Sequence, residues 1–222
     1  KYRGQLEQLL TSGYDPFAML QWPRRGRSIA ADIVKTDHPV QKGKGFSGNI
    51  AVLGMGNVGG TAVQALALNG RQDAGINCIY IYDRNPQLLK RWEMELNQVA
   101  SLDSDHPRIR IGTDGDLGRC DLIAFCLTAG VPDLGSEKKK DVRLSQFYDN
   151  TRILKNWLDR AIAAGFSGLF AVISDPVDHL TRYGIEYAQG KLPAENFVGL
   201  GLGVMYARSR YLSGSRSVDN LW

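Results

Sequence analysis

The run NIAVLGMGNVGG, residues 49–60, constrains the fold more than any other part of the chain. NIAVLG is a short continuous apolar run, the pattern of a strand buried on both faces. It leads into Gly54, Gly56 and Gly59, spaced GxGxxG, and then into a helical stretch, TAVQALALNG, predicted to close on Gly70. A bare GxGxxG carries little information. Between a buried strand and a helix it has a physical meaning, because the turn presents the unpaired N–H groups of a helix N-terminus to an anion. Gly54 permits the tight turn, Gly56 lets the backbone approach a pyrophosphate, and Gly59 allows close packing of helix on strand.

A second apolar run, INCIYIYD at 76–83, ends on Asp83, 24 residues beyond Gly59. A carboxylate there can accept hydrogen bonds from a ribose and would repel a 2′-phosphate, which favours NAD over NADP. Arg84 is the one neighbour that would serve a 2′-phosphate instead. The alternative is a Gly-rich turn followed by a chance Asp. The strand–turn–helix context selects a dinucleotide site with Gly54, Gly56, Asn57, Val58, Gly59, Asp83 and Arg84 as its cofactor-binding residues.

The pattern then repeats. Asn85-Pro86 supplies an N-cap and a proline at the first helical position, for a helix predicted to run to about Ala100. RIRIG (108–112) and DLIAFCLTA (121–129) read as a third and fourth strand. A long amphipathic helix follows from about Leu144 to Ala164, then a fifth strand, GLFAVIS (168–174), stopped by Asp175-Pro176. A helix through about Ala188, a last strand FVGLG (197–201) and helical residues from about Val204 complete the chain. Strands alternating with helices predict an α/β fold, a Rossmann-type doubly wound parallel sheet. Residues 1–48 read as an N-terminal extension and linker, with a short helix at Leu6–Leu10 and a flexible Gly/Lys-rich joint at Gln41–Gly48. Residues 49–201 read as the dinucleotide-binding domain, and 202–222 as the start of an incomplete second domain.

Composition enters by exclusion. An apolar fraction of 43% and a charged fraction of 23% over 222 residues exclude wholesale disorder, and no apolar run is long enough to span a membrane. The net charge of +4 is scattered, and a nucleic-acid reading would rest only on the basic N-terminal residues Arg24, Arg25, Arg27, Lys35, Lys42 and Lys44. Cys78, Cys120 and Cys126 form no CxxC pair and have no histidine at ligand spacing, so no metal site is expected. They read as buried strand filling. Reduced thiols and the absence of a secretory signal in KYRGQLEQLL predict a cytoplasmic protein.

Six segments together resemble the L-lactate/malate dehydrogenase family: VLGMGNVGGTAVQALALNG, IYIYDRN, DLIAFCLTAGVP, RLSQFYDNTRILKNW, AVISDPVDHLT and VGLGLGVMYARSRYL. They occur in family order and at near-family spacing. The resemblance implies NAD as cofactor, with Thr128, Ala129 and Gly130 in the loop whose backbone lies along it. It implies that Arg143 is the mobile-loop arginine that polarises the substrate carbonyl. Arg208 falls where the family grips the substrate carboxylate with a planar fork. A small 2-oxo or 2-hydroxy acid partner and a homo-oligomer, dimer or tetramer, are implied with them.

The departures are specific. The family's NPVD motif reads Asp175-Pro176-Val177-Asp178 here, so the nicotinamide-side amide is replaced by an acid that has its shape and lacks its donor. In the T-x-L-D-x-A-R motif Met205 stands where an aspartate orients the catalytic histidine. The GEHGD motif that carries that histidine is absent, and none of His38, His106 and His179 takes its place. Loss of a general acid costs roughly 10²–10⁴ in rate. The specificity loop has about four additional residues, with Asp133 at the discriminating position and Lys138, Lys139 and Lys140 nearby.

The expected function is therefore NAD-dependent hydride transfer on a 2-hydroxy or 2-oxo acid of altered identity, the chain being a fragment lacking most of the second domain. Arg143, Arg208 and Asp175 would be its catalytic residues. The alternative is an NAD-binding protein without dehydrogenase chemistry, a sensor or assembly subunit, favoured by Met205 and Asp175.

Overall fold

The computed structural model describes residues 47–99, 106–130 and 142–201, with 203, 207, 211 and 212; the side chains of 69–74 and 142–145 are outside that description. Six strands occur in chain order: β1 (Asn49–Leu53), β2 (Cys78–Tyr82), β3 (Arg108–Ile111), β4 (Leu122–Phe125), β5 (Leu169–Val172) and β6 (Phe197–Gly199). They form one sheet in the order β3-β2-β1-β4-β5-β6, with all five pairings parallel. The order reverses between β1 and β4, and the crevice beyond their carboxyl ends is where open sheets of this kind place ligands. The predicted doubly wound sheet is the observed one.

Five helices connect the strands: α1 (Asn57–Ala74), α2 (Pro86–Asn97), α3 (Asp114–Leu117), α4 (Val142–Ala163) and α5 (Val177–Ala188). Every residue of β2, β4 and β5 is buried, because helices cover both faces. Alternate side chains of one strand serve opposite layers. Ile50 and Val52 of β1 pack with Val63 and Ala67 of α1 and with Leu89 and Leu96 of α2. Ala51 and Leu53 pack on the other face with Leu154 and Leu158 of α4 and with Leu180 of α5.

Local chemistry sets the helix starts. Asn85 Oδ1 accepts from Gln87 N at 3.0 Å and Leu88 N at 3.2 Å, with Pro86 in the first turn, as the sequence predicts. The sequence reading did not foresee α3, which begins where the Thr113 N–H and hydroxyl both donate to the Asp116 carboxylate, at 2.9 and 2.6 Å. The Thr113 hydroxyl holds that carboxyl below its ordinary range.

Three expectations need correction. The first helix does not close on Gly70 but continues to Ala74. A glycine inside a helix costs only about 1 kcal/mol, too little by itself to end one. The fourth strand ends at Phe125 rather than Ala129, because the apolar run continues into a loop whose N–H groups find other partners. Finally, Ser47 and Gly48 are not part of a flexible joint. The Ser47 N–H and hydroxyl donate to Asp121 Oδ2 at 3.0 and 2.7 Å, and Gly48 O accepts from Asn77 N at 2.7 Å. The other residues of that joint, and the helix at Leu6–Leu10, lie outside the described residues.

Cys78 and Cys120 are buried, and Cys126 is partly buried just past β4. Among the described residues no helix is long and apolar enough to cross a membrane. Phe170 is fully buried, between Phe125 at 6.2 Å and Phe197 at 5.7 Å between ring centroids. Phe170→Ala is expected to lower unfolding free energy by roughly 3–5 kcal/mol in urea titration. A loss under about 1 kcal/mol would show that this cluster does not hold β5 between its neighbours.

Candidate nucleotide site

The site begins with the turn between β1 and α1. Gly54 has φ +96°, a left-handed backbone that side-chain-bearing residues rarely adopt. Its N–H donates to Tyr82 O at 2.7 Å, which carries the β1–β2 ladder one step beyond the strand. A Cβ on Gly59 would overlap the Gly54 carbonyl oxygen, so glycine at 59 is what lets α1 sit this close to the turn. A Cβ on Gly56 would meet nothing within 4 Å. Gly56, Asn57 and Val58 are exposed while Gly54, Met55 and Gly59 are buried. The turn thus shows its solvent side, with the N-terminus of α1 behind it, to the space above the sheet. Backbone N–H groups and the helix dipole there favour an anion.

Asp83 follows β2 and holds this turn. Its Oδ2 accepts from Met55 N at 2.8 Å, inside the glycine-rich turn, and its Oδ1 accepts from Asn85 N at 2.9 Å. An ionised carboxylate has about four acceptor sites, so two backbone bonds leave capacity for ribose hydroxyls. Arg84 beside it is exposed. The Met55 contact was not foreseen, because spacing alone identifies the carboxylate and not what its oxygens bind.

Across the switch point, Thr128, Ala129 and Gly130 are exposed in the loop after β4. Asn150 supports this loop from below. It is 1% exposed within α4; its Oδ1 accepts from Ala129 N at 2.8 Å and its Nδ2 donates to Asp175 O at 2.8 Å. Ser174, also buried, donates from Oγ to Leu127 O at 2.7 Å. These two side chains tie the loop after β4 to the loop after β5. The sequence reading missed both. A signal existed for Asn150: it shares the buried stripe Leu154, Leu158 and Ala161 at helical spacing, where a polar residue needs a partner.

Asp175 is exposed at the carboxyl end of β5, before a cis peptide to Pro176. Arg143 lies in the first turn of α4, and its side chain is outside the description. Arg208, Met205, Asp133 and the three loop lysines lie outside the described residues. His106 precedes β3, and His179 is exposed on α5 with its ring 6.0 Å from that of Phe147, remote in role from the turn. Burial pushes the Cys126 thiol, packed beneath Gly59, up to about 12, so it is protonated near neutrality and is no nucleophile. Among the described residues no group of three or more His, Cys, Asp or Glu side chains could hold a metal ion.

Residues 48–199 match the family described as lactate/malate dehydrogenase, NAD binding domain. The chain belongs to the lactate/malate dehydrogenase family. It is 31% identical over 169 residues to the L-lactate dehydrogenase of Staphylococcus epidermidis, covering 76% of this chain and 50% of that one. The L-lactate dehydrogenase 2 of Staphylococcus aureus is 30% identical over 76% of this chain and 49% of its own length. The chain therefore spans about half the length of the curated relatives it matches. Among solved structures, the minor L-lactate dehydrogenase of Enterococcus mundtii superposes with a TM-score of 0.57 at 26% identity, covering 68% of this chain and 44% of that one. A lactate dehydrogenase from a Medee basin deep-sea metagenome library superposes with a TM-score of 0.62 at 24% identity, over 75% and 49%, and shares the fold.

Within this family fold, Asn150 is the buried joint between two loops. Asn150→Ala would remove the side-chain partner of Ala129 N and Asp175 O, at a cost of about 1–3 kcal/mol for the two. Urea unfolding checks the magnitude. Unchanged stability would mean that the loops hold each other without the amide.

Proposed function

We propose that the chain belongs to an NAD-dependent oxidoreductase of the lactate/malate type, moving hydride between NAD(H) and a 2-hydroxy or 2-oxo acid of altered identity. In this reading residues 49–201 form the NAD-binding domain, residues 202–222 open the substrate domain, and 1–48 are an extension. The observation that carries it is the Asp83 carboxylate bonded into the glycine-rich turn at the head of α1, at the switch point of the sheet.

The donor set fits the cofactor. Exposed backbone at Gly56, Asn57 and Val58, backed by the α1 N-terminus, suits a pyrophosphate, and the open space at Gly56 admits its close approach. Asp83 takes the ribose hydroxyls and repels a 2′-phosphate, with the exposed Arg84 beside it as a group that would offset this. Thr128, Ala129 and Gly130 line the nicotinamide half, positioned by Asn150. Bound NAD supplies the hydride acceptor or donor. Arg143, at the head of α4, is assigned to polarising the substrate carbonyl, and Arg208 to gripping the substrate carboxylate. A dimer or tetramer, in the cytoplasm, is the assembly this reading carries.

Asp175 favours a second reading, NAD binding without turnover, because an exposed carboxylate stands where the family has an amide donor. Two measurements test these, and the second separates them. Calorimetric titration should show NADH binding, and Gly56→Ala should weaken it by about tenfold or more while leaving the melting temperature unchanged, since the added methyl meets only the ligand. No NADH binding by the wild-type chain would defeat both readings. NADH oxidation against a panel of 2-oxo acids then decides between them: turnover supports the enzyme, and binding with no turnover supports the sensor. With turnover, Asp175→Asn should raise kcat by restoring the amide donor. An unchanged or lower kcat would show that the acid is adapted to this chain's own substrate.

A further inference from the structure

Among the described residues β3 is an edge of the sheet, the kind of strand that exposes a row of free N–H and C=O groups to another chain. Its inward and outward groups can be told apart. Arg108 N donates to Asn77 O at 3.0 Å and Gly112 N donates to Ile81 O at 3.1 Å, so residues 108, 110 and 112 turn their polar backbone toward β2. Ile109 and Ile111 therefore turn theirs outward.

Those outward groups are occupied by side chains from α2. Asn97 binds Ile109 at both ends: its Oδ1 accepts from Ile109 N at 3.1 Å and its Nδ2 donates to Ile109 O at 2.8 Å. The amide thus copies the pair of bonds that a neighbouring strand would make. Its second Nδ2 hydrogen goes to Glu93 O at 2.7 Å, which fixes it to its own helix. Glu93 in turn accepts from Ile111 N at 2.9 Å through Oε1. The next outward residue, Pro107, has no N–H to offer, and the His106 ring nitrogen Nδ1 lies 2.9 Å from its carbonyl oxygen. From 107 to 111 every outward donor of the strand is removed or taken.

We propose that Asn97 and Glu93 form a guard that closes the β3 edge against strand addition by a second copy of this chain. The excluded occupant is a second β3, because RIRI is short, alternating and present in every molecule at equal concentration. Arg108 and Arg110, both exposed, add a second barrier, since pairing two such strands brings like charges together. Helix packing alone does not require the arrangement. Asn97 is exposed, and a solvated side chain there would serve α2 equally well.

The test compares wild type, Asn97→Ala and Glu93→Ala by backbone amide exchange and by sedimentation over a concentration series. In wild type the Ile109 and Ile111 amides should exchange slowly although they face away from the sheet. Asn97→Ala should speed exchange at Ile109, and Glu93→Ala at Ile111, by roughly fivefold each, the factor expected for one lost hydrogen bond. The amides of β1 should be unaffected. Both variants should form concentration-dependent species larger than those of wild type. Adding Ile111→Lys, at a position 38% exposed, should suppress those species by placing a charge on the edge. Glu93→Ala leaves the strand's hydrophobic packing intact, so it keeps the test available if Asn97→Ala fails to fold. Unchanged exchange at both amides would overturn the proposal. So would a folded variant whose assembly matches wild type at every concentration, or new association that Ile111→Lys leaves in place.

Discussion

The candidate nucleotide site depends on how closely α1 approaches the turn that follows β1. A side chain at Gly59 would occupy the position of the Gly54 carbonyl oxygen, so the approach exists only because that atom is missing. Closeness has two consequences at once. It brings the N-terminus of α1 over the carboxyl end of the sheet, and it buries Met55, whose N–H must then find a protein partner. Asp83 is that partner, and it can reach because β2 lies beside β1 in parallel register, with Tyr82 opposite Leu53. One steric absence therefore determines where the positive end of a helix and a carboxylate are held relative to each other.

The second half of the site follows a different rule. β4 and β5 end next to each other, and the loops that leave them diverge from the ladder. Their backbone groups are recovered by two buried side chains, Asn150 from α4 and Ser174 from the end of β5. The glycine-rich side combines backbone geometry with the Asp83 carboxylate, whereas this side depends on buried side-chain hydrogen bonds, each worth about 1 kcal/mol net but costly to leave unmade. An amide is suited to the Asn150 position because it must accept from one loop and donate to the other. A carboxylate could do only the first, and a hydrocarbon neither.

That difference explains how much was legible in the sequence. The parallel strands, both helical layers and the turn at Gly54–Gly59 follow from local signals: continuous apolar runs, glycine spacing, and Asn85-Pro86 at a helix start. The end of α1 is not legible at Gly70 because propensity is a weak force, and the helix continues to Ala74. The end of β4 was misread because Cys126, Leu127 and Ala129 are as apolar as a strand, while strand pairing depends on which backbone groups have neighbours. The buried stripe of α4 signals that Asn150 needs a partner, but its partners, Ala129 and Asp175, are 21 and 25 residues away and nothing local identifies them. The Ser47 latch has the same character, since Asp121 is 74 residues distant.

Asp175 can be narrowed from the same contacts. Its carbonyl oxygen is the atom that Asn150 holds, and the peptide that follows it is anchored by the first turn of α5, where Leu180 N donates to Pro176 O at 3.0 Å. The backbone at 175 is thus placed independently of what its side chain is. Exchanging an amide for an acid at this position changes charge and donor capacity and leaves the geometry alone. The consequence is chemical: a carboxyl side chain lacks the N–H donors that an amide would present at this point. The substitution changes what the loop displays rather than how the loop is built.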